Sequence, residues 1–141
     1  MKILGIDLGS KTVGMAVSDY LEIIATPIGT ARISENNLEE ALRYVAEEVV
    51  KNSVSKIVLG LPKNMDGSIG FQGEYCLKFK GMLEEALKLE VIMIDERLTS
   101  KLVENVMITA DVSRKKRKEN VDKLAASVIL QSYLDSNTRR F

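Results

Sequence analysis

The chain has 141 residues, 45% apolar and 28% charged, with zero net charge, no histidine and a single cysteine, Cys76. Such a chain is expected to form one domain, residues 1–141, burying roughly 70% of its unfolded surface. The composition excludes an overall polycation, an internal disulfide, a histidine general base and a histidine-bound zinc.

No apolar run approaches the roughly 20 residues that span a bilayer. Lys2 leads straight into a strand-like run rather than a signal peptide. A reducing cytoplasm and no membrane are therefore expected. Any hydrolytic chemistry must come from carboxylates, lysines or oxygen-ligated metals, which suits Mg²⁺ or Mn²⁺.

The first predicted strand is the apolar run Ile3-Leu4-Gly5-Ile6, ending at Asp7. A glycine turn, Leu8-Gly9-Ser10-Lys11-Thr12, follows. In the second strand Val13, Met15 and Val17 alternate with Gly14, Ala16 and Ser18, a period of two with one crowded face. A third strand is expected over 23–33, with Pro27 and Gly29 marking an edge or a bulge. Leu38, Ala41, Leu42, Val45, Ala46, Val49 and Val50 then keep helical spacing. Ser34, Asn36 and Asn37 are cap candidates, and Glu39 and Glu40 stand in the first turn.

Lys56 to Leu61 reads as a buried strand stopped by Pro62. A mobile loop is expected over 63–73, a helix over 74–89 and a fifth strand over Val91–Ile94, ending in Asp95-Glu96-Arg97. A short helix over 100–107 and a last helix from about Val121 complete the chain. The last helix is expected to show Val121, Leu124, Ala125, Val128 and Ile129 on one face. The order βββαβαβαα predicts an α/β fold: a mixed five-stranded sheet, three strands antiparallel and two added in parallel, flanked by helices. Strand one should neighbour strand four, and strand five should lie beside four.

Three acidic positions end elements: Asp7, the Asp95-Glu96 pair, and Asp122 in the first turn of the last helix. Each has a plain structural role open to it. Asp7 could cap its turn, Glu96 could pair with Arg97, and Asp122 could serve the helix dipole, worth about 0.3–1 kcal/mol. Their combination says more. Strand carboxyl ends line the functional crevice of such sheets, and acids converging on one rim repel unless a cation sits among them. The cluster suits phosphodiester hydrolysis with two Mg²⁺ ions about 4 Å apart sharing Asp7. One activates the attacking water and the other stabilises the leaving 3′ oxygen. The run Arg114-Lys115-Lys116-Arg117-Lys118 is either a solvated surface or a phosphate contact.

Four segments resemble the YqgF/RuvX family: Gly5 to Gly14 with Ser18-Asp19; Gly60 to Ser68; Asp95 to Ser100; and Ser113 to Arg117 followed by Val121 to Ala126. Together they run from near residue 1 to about residue 135. The family is similar to Holliday-junction resolvases of the ribonuclease H-like fold, and its members are described as nucleases maturing the 5′ end of pre-16S rRNA. The resemblance implies metal-dependent catalysis by Asp7, Glu96 and Asp122. It favours Glu96 over Asp95, and strand alternation allows only one of those two to face the site.

Lys11, Arg97 and the run Arg114, Lys115, Lys116, Arg117, Lys118 are the expected phosphate contacts, with Asn64 and Ser68 adding hydrogen bonds. Few aromatic residues and no tryptophan favour recognition of nucleic-acid shape over base stacking. Two departures stand out. Gly60-Leu61-Pro62 occupies the place where many ribonuclease H-like nucleases carry a fourth-strand acid. Phe71 follows Gly70 where the family often has proline.

Three other readings are open. A resolvase would use the same acids on branched DNA and need two sites, hence a homodimer. A non-catalytic RNA-binding assembly factor would keep the basic run without needing the acids. A nucleotide-binding kinase or ATPase would share the Gly5–Ser10 turn but needs two lobes where this chain supplies one.

Overall fold

The computed structural model describes residues 1–96 and 114–138, with backbone alone for 114–123 and 137–138. Its elements are β1 (Lys2–Leu8), β2 (Thr12–Ser18), β3 (Ala25–Arg32), α1 (Leu38–Lys51), β4 (Val54–Leu61), α2 (Phe71–Leu87), β5 (Glu90–Asp95) and α3 (Arg114–Thr138). The helix expected over 100–107 lies outside the described residues.

The sheet order is β3-β2-β1-β4-β5. β1 pairs antiparallel with β2 and parallel with β4; β2 and β3 are antiparallel, and β4 and β5 parallel. This is the expected topology. β3 is an edge strand, and its register slips by one residue so that Met15 faces Gly29 while Ala16 faces Pro27. Gly29 takes φ +147°, which its lack of a side chain permits. Proline on an edge costs no ladder hydrogen bond.

Alternation along the strands builds two cores. Leu4, Ile6, Leu8, Val13, Met15, Ile57, Leu59 and Leu61 face α1 and α2, where Leu38, Ala41, Val45, Cys76, Phe79 and Leu83 close the layer. Ile3, Ala16 and Val58 face α3 through Ala126, Ile129, Leu130, Tyr133 and Leu134. The crowded face expected of β2, that of Val13, Met15 and Val17, packs into the first of these cores. The face of small residues is covered as well, and its smallness is what admits α3.

A Cβ on Gly5 would stand 2.6 Å from the Leu130 Cβ and 2.9 Å from the Ala126 carbonyl oxygen. The helix thus rests on bare strand backbone. This contact also selects the helix face. Ala126, Ile129, Leu130, Tyr133 and Leu134 turn inward, while Leu124, expected inside, is exposed.

α1 is capped by Asn37, whose side chain accepts the Glu40 amide at 3.1 Å. Its inward stripe is narrower than the apolar pattern suggested, since Val50 is exposed. α2 begins at Phe71 rather than near 74. Gly73, which reads as a loop residue, lies inside the helix, and the close approach of the chain accounts for the glycine: a Cβ there would meet the Pro62 carbonyl at 2.8 Å and Ile69 Cγ2 at 2.6 Å. α3 begins at Arg114, so the basic run is helical. Lysine and arginine are good helix formers, and the apolar pattern marks only the part of the helix that is covered. Among the described residues no helix is long and apolar enough to cross a membrane.

Candidate active site

Asp7 lies one residue before the end of β1, opposite Gly14 of β2. It follows Ile3 and Gly5 on the α3 side of the sheet. In β4 the same side carries Val58 and Gly60. β5 pairs in parallel with β4, Gly60 against Ile94 and Leu61 against Asp95, and the Glu96 amide donates to the Leu61 carbonyl at 3.1 Å. The ladder therefore continues one residue past β5. Alternation sends Asp95 to the α1/α2 side and Glu96 to the side of Asp7.

Glu96 reaches across Gly60. Its carboxyl hydrogen-bonds the Asp7 carboxyl, and both groups are half-buried. Burial first, then the Asp7 charge, raises Glu96 far above the usual carboxylate range, with Asp95 adding to it. Two like charges at one place do not both ionise freely, and that repulsion adds to burial in holding Glu96 up. A cation placed there would remove that penalty. An all-oxygen donor set fits Mg²⁺ or Mn²⁺ rather than a softer ion.

The rim is braced from the other side by α2. Gln72 Nε2 donates to the Leu8 carbonyl at 3.2 Å, and the Tyr75 hydroxyl reaches the Gly9 carbonyl at 3.4 Å. Cys76, fully buried beneath the rim, has its thiol pushed up to about 12, by burial and then by the Glu96 and Asp7 charges. Neither Gln72 nor Tyr75 carries a pattern in the sequence. Their roles depend on where α2 starts.

α3 runs antiparallel to β1, since Tyr133 and Leu134 pack with Ile3 while Ala126 and Leu130 cover Gly5. Its backbone carries Asp122 one turn before Ala126, toward the Asp7 end of the strand. The side chains of Asp122 and of Arg114, Lys115, Lys116, Arg117 and Lys118 lie outside the described residues, as does Arg97.

Lys11 is exposed in the β1–β2 turn, which is closed by the Gly9 amide donating to the Thr12 carbonyl at 2.8 Å. Asn64 and Ser68 engage each other. Asn64 Nδ2 donates to Ser68 Oγ at 3.0 Å, and Ser68 Oγ donates to Asp66 Oδ1 at 2.6 Å. In this state they brace their own loop.

Comparison with known proteins bears on the family and the fold. A family model described as RuvX, Holliday junction resolvase, matches residues 1–136. A protein of Bacillus cytotoxicus named "Putative pre-16S rRNA nuclease" is 52% identical over 136 residues, covering 96% of this chain and 99% of its own. One of the same name from Bacillus thuringiensis is 50% identical over the same lengths.

Among solved structures, Thermus thermophilus RuvC in complex with a Holliday junction substrate superposes with a TM-score of 0.62 at 14% identity, covering 98% of this chain and 96% of its own. The fowlpox virus Holliday junction resolvase gives 0.56 at 18%, covering 96% and 99%. These two show the shared ribonuclease H-like fold. The match across residues 1–136, together with relatives half identical over nearly their full length, places this chain in the RuvX family of nucleases.

Proposed function

We propose that this nuclease is a metal-dependent endonuclease that hydrolyses phosphodiester bonds in the 5′ maturation of pre-16S rRNA, in the cytoplasm. The observation that carries the reading is the Asp7–Glu96 carboxyl pair, set on one sheet face at the strand ends. Two half-buried acids in contact destabilise a fold unless they serve a ligand. A non-catalytic RNA-binding factor gives no reason to keep them. The choice of RNA follows the name of the half-identical relatives.

Asp7, Glu96 and Asp122 would hold Mg²⁺ or Mn²⁺, two ions in all. When bound, the metal supplies a water activated at neutral pH and charge stabilisation on the leaving 3′ oxygen. The residues of the chain do the rest. Asp7 and Glu96 would serve as carboxylate ligands, with any proton on Glu96 passing to solvent. Lys11, Arg97 and the Arg114–Lys118 run hold the flanking phosphates, giving steeply salt-dependent binding. The phosphorus–O3′ bond breaks as the water oxygen bonds to phosphorus; the attacking water loses a proton to solvent and the departing O3′ takes one from solvent to leave as a hydroxyl. Asn64 and Ser68 exchange their mutual hydrogen bonds for substrate oxygens.

A second reading, cleavage of branched DNA, is favoured by the description of the matching family model. It requires a homodimer, because two strands must be cut; RNA end maturation works with a monomer.

The test is cleavage of a labelled pre-16S 5′ precursor beside a labelled four-way junction, each with Mg²⁺, Mn²⁺ or EDTA. Metal-dependent cutting of the RNA alone supports the first reading. Cutting of the junction by a dimer supports the second. Binding without cutting in any metal would return the chain to an assembly role.

A further inference from the structure

We propose that Gly60 is a positioning residue: the bare backbone at the end of β4 is the seat that lets the Glu96 carboxyl, delivered from β5, lie against Asp7. The inference rests on the metal-nuclease reading above and says how this chain builds that site.

Gly60 stands in a buried, regularly paired strand, where glycine weakens the sheet. It is not among the glycines with positive φ, so the backbone does not need its freedom. The reason lies in space. A Cβ on Gly60 would overlap Glu96 Oε1 and stand 2.7 Å from both Glu96 Cδ and Ile129 Cδ1. A side chain on β4 and the Glu96 carboxyl therefore compete for one volume beside Asp7.

Both obstructed groups are tips of flexible side chains. A methyl group at position 60 can be accommodated by swinging them aside, with β4 and α3 left in place. The fold survives such a change, and the carboxyl pair is what breaks. An acid from β5 and an empty β4 position are thus one device. The absent fourth-strand acid is the condition for Glu96 to reach Asp7.

The experiment uses the full chain and three readouts: Mn²⁺ affinity by calorimetry, melting temperature, and cleavage. Gly60→Ala is expected to weaken Mn²⁺ binding at least tenfold while the melting temperature moves by no more than about 5 °C. Adding Ile129→Val removes the second obstruction and should not restore the metal. Adding Glu96→Asp instead shortens the acid by one methylene and should recover a large part of the affinity.

Wild-type Mn²⁺ affinity in Gly60→Ala, or full recovery with Ile129→Val, would overturn the seat. Glu96→Gln separates the two levels. If it leaves Mn²⁺ affinity unchanged, Glu96 is no ligand and the site reading falls with the seat. If it abolishes binding while Gly60→Ala does not, the site stands and the seat alone is wrong.

Discussion

Gly5 and Gly60 lie on the same face of the sheet under the same helix, yet they are glycines for different reasons. At Gly5 the obstruction is the Ala126 carbonyl and the Leu130 Cβ, atoms fixed to the helix itself. At Gly60 it is the ends of Glu96 and Ile129. The first glycine lets a helix dock and belongs to the core. The second leaves room for a carboxyl and belongs to the rim. Two neighbouring strands thus spend the same residue type once on stability and once on chemistry, and the distance from the strand's carboxyl end decides which.

The sharpest way to break this comparison is at the rim. Asp7→Asn should lower cleavage by about 10³-fold or more, since a shared ligand supplies several kcal/mol of transition-state stabilisation. The same change should raise the melting temperature in EDTA, because it ends the contact of two acids. Single-turnover cleavage and a melting curve test both; a fall in stability with activity intact would reverse the assignment.

At the core the expectation is opposite. Gly5→Ala should cost about 1–3 kcal/mol through overpacking, read as a lower urea midpoint, with metal affinity per folded molecule unchanged. A loss of metal affinity in a stable Gly5→Ala protein would merge the two regions.

A pH series sharpens the rim further. The folded chain holds Glu96 above its ordinary value, so unfolding releases a proton between the usual carboxylate range and the raised one. Stability in EDTA should therefore fall as pH rises through that window, by up to about 1.4 kcal/mol per unit. Glu96→Gln should flatten the slope, as urea midpoints at several pH values would show. A flat wild-type profile would mean that Glu96 is not held above its ordinary value.

The smallest effect tests what lies beneath the rim. Cys76 is fully buried and its thiol is pushed up to about 12. A thiol reagent at pH 8 should leave it unmodified until urea unfolds the chain; rapid labelling in buffer would show the rim open to solvent from below.

Much of this was legible before any coordinates. Period-two runs, a helix with cap candidates at Ser34, Asn36 and Asn37, and the helical crossovers made this sheet order the simplest arrangement. They did so because β1 and β4 are apolar on both faces and each parallel step needs a helix. The family motifs brought Asp7 and Glu96 forward together. What escaped were boundaries and facings. Gly73 reads as loop, yet sits in α2, where it is glycine because Pro62 and Ile69 leave no room for a side chain. Leu124 reads as core but is exposed, because Gly5 and Ala16 choose which stripe of α3 is admitted.

The sequence by itself determined the architecture and the kinds of atom available for catalysis: a histidine-free, oxygen-donor chain with acids at strand ends. Those follow from local periodicity and from residue chemistry, which need no partner. Only the tertiary structure decided that Glu96 rather than Asp95 turns toward Asp7, that Gly60 vacates the space between them, and that Gln72 and Tyr75 brace the turn. Each of these depends on register and on the exclusion of one atom's volume by another, and such distances exist only once strands and helices are packed.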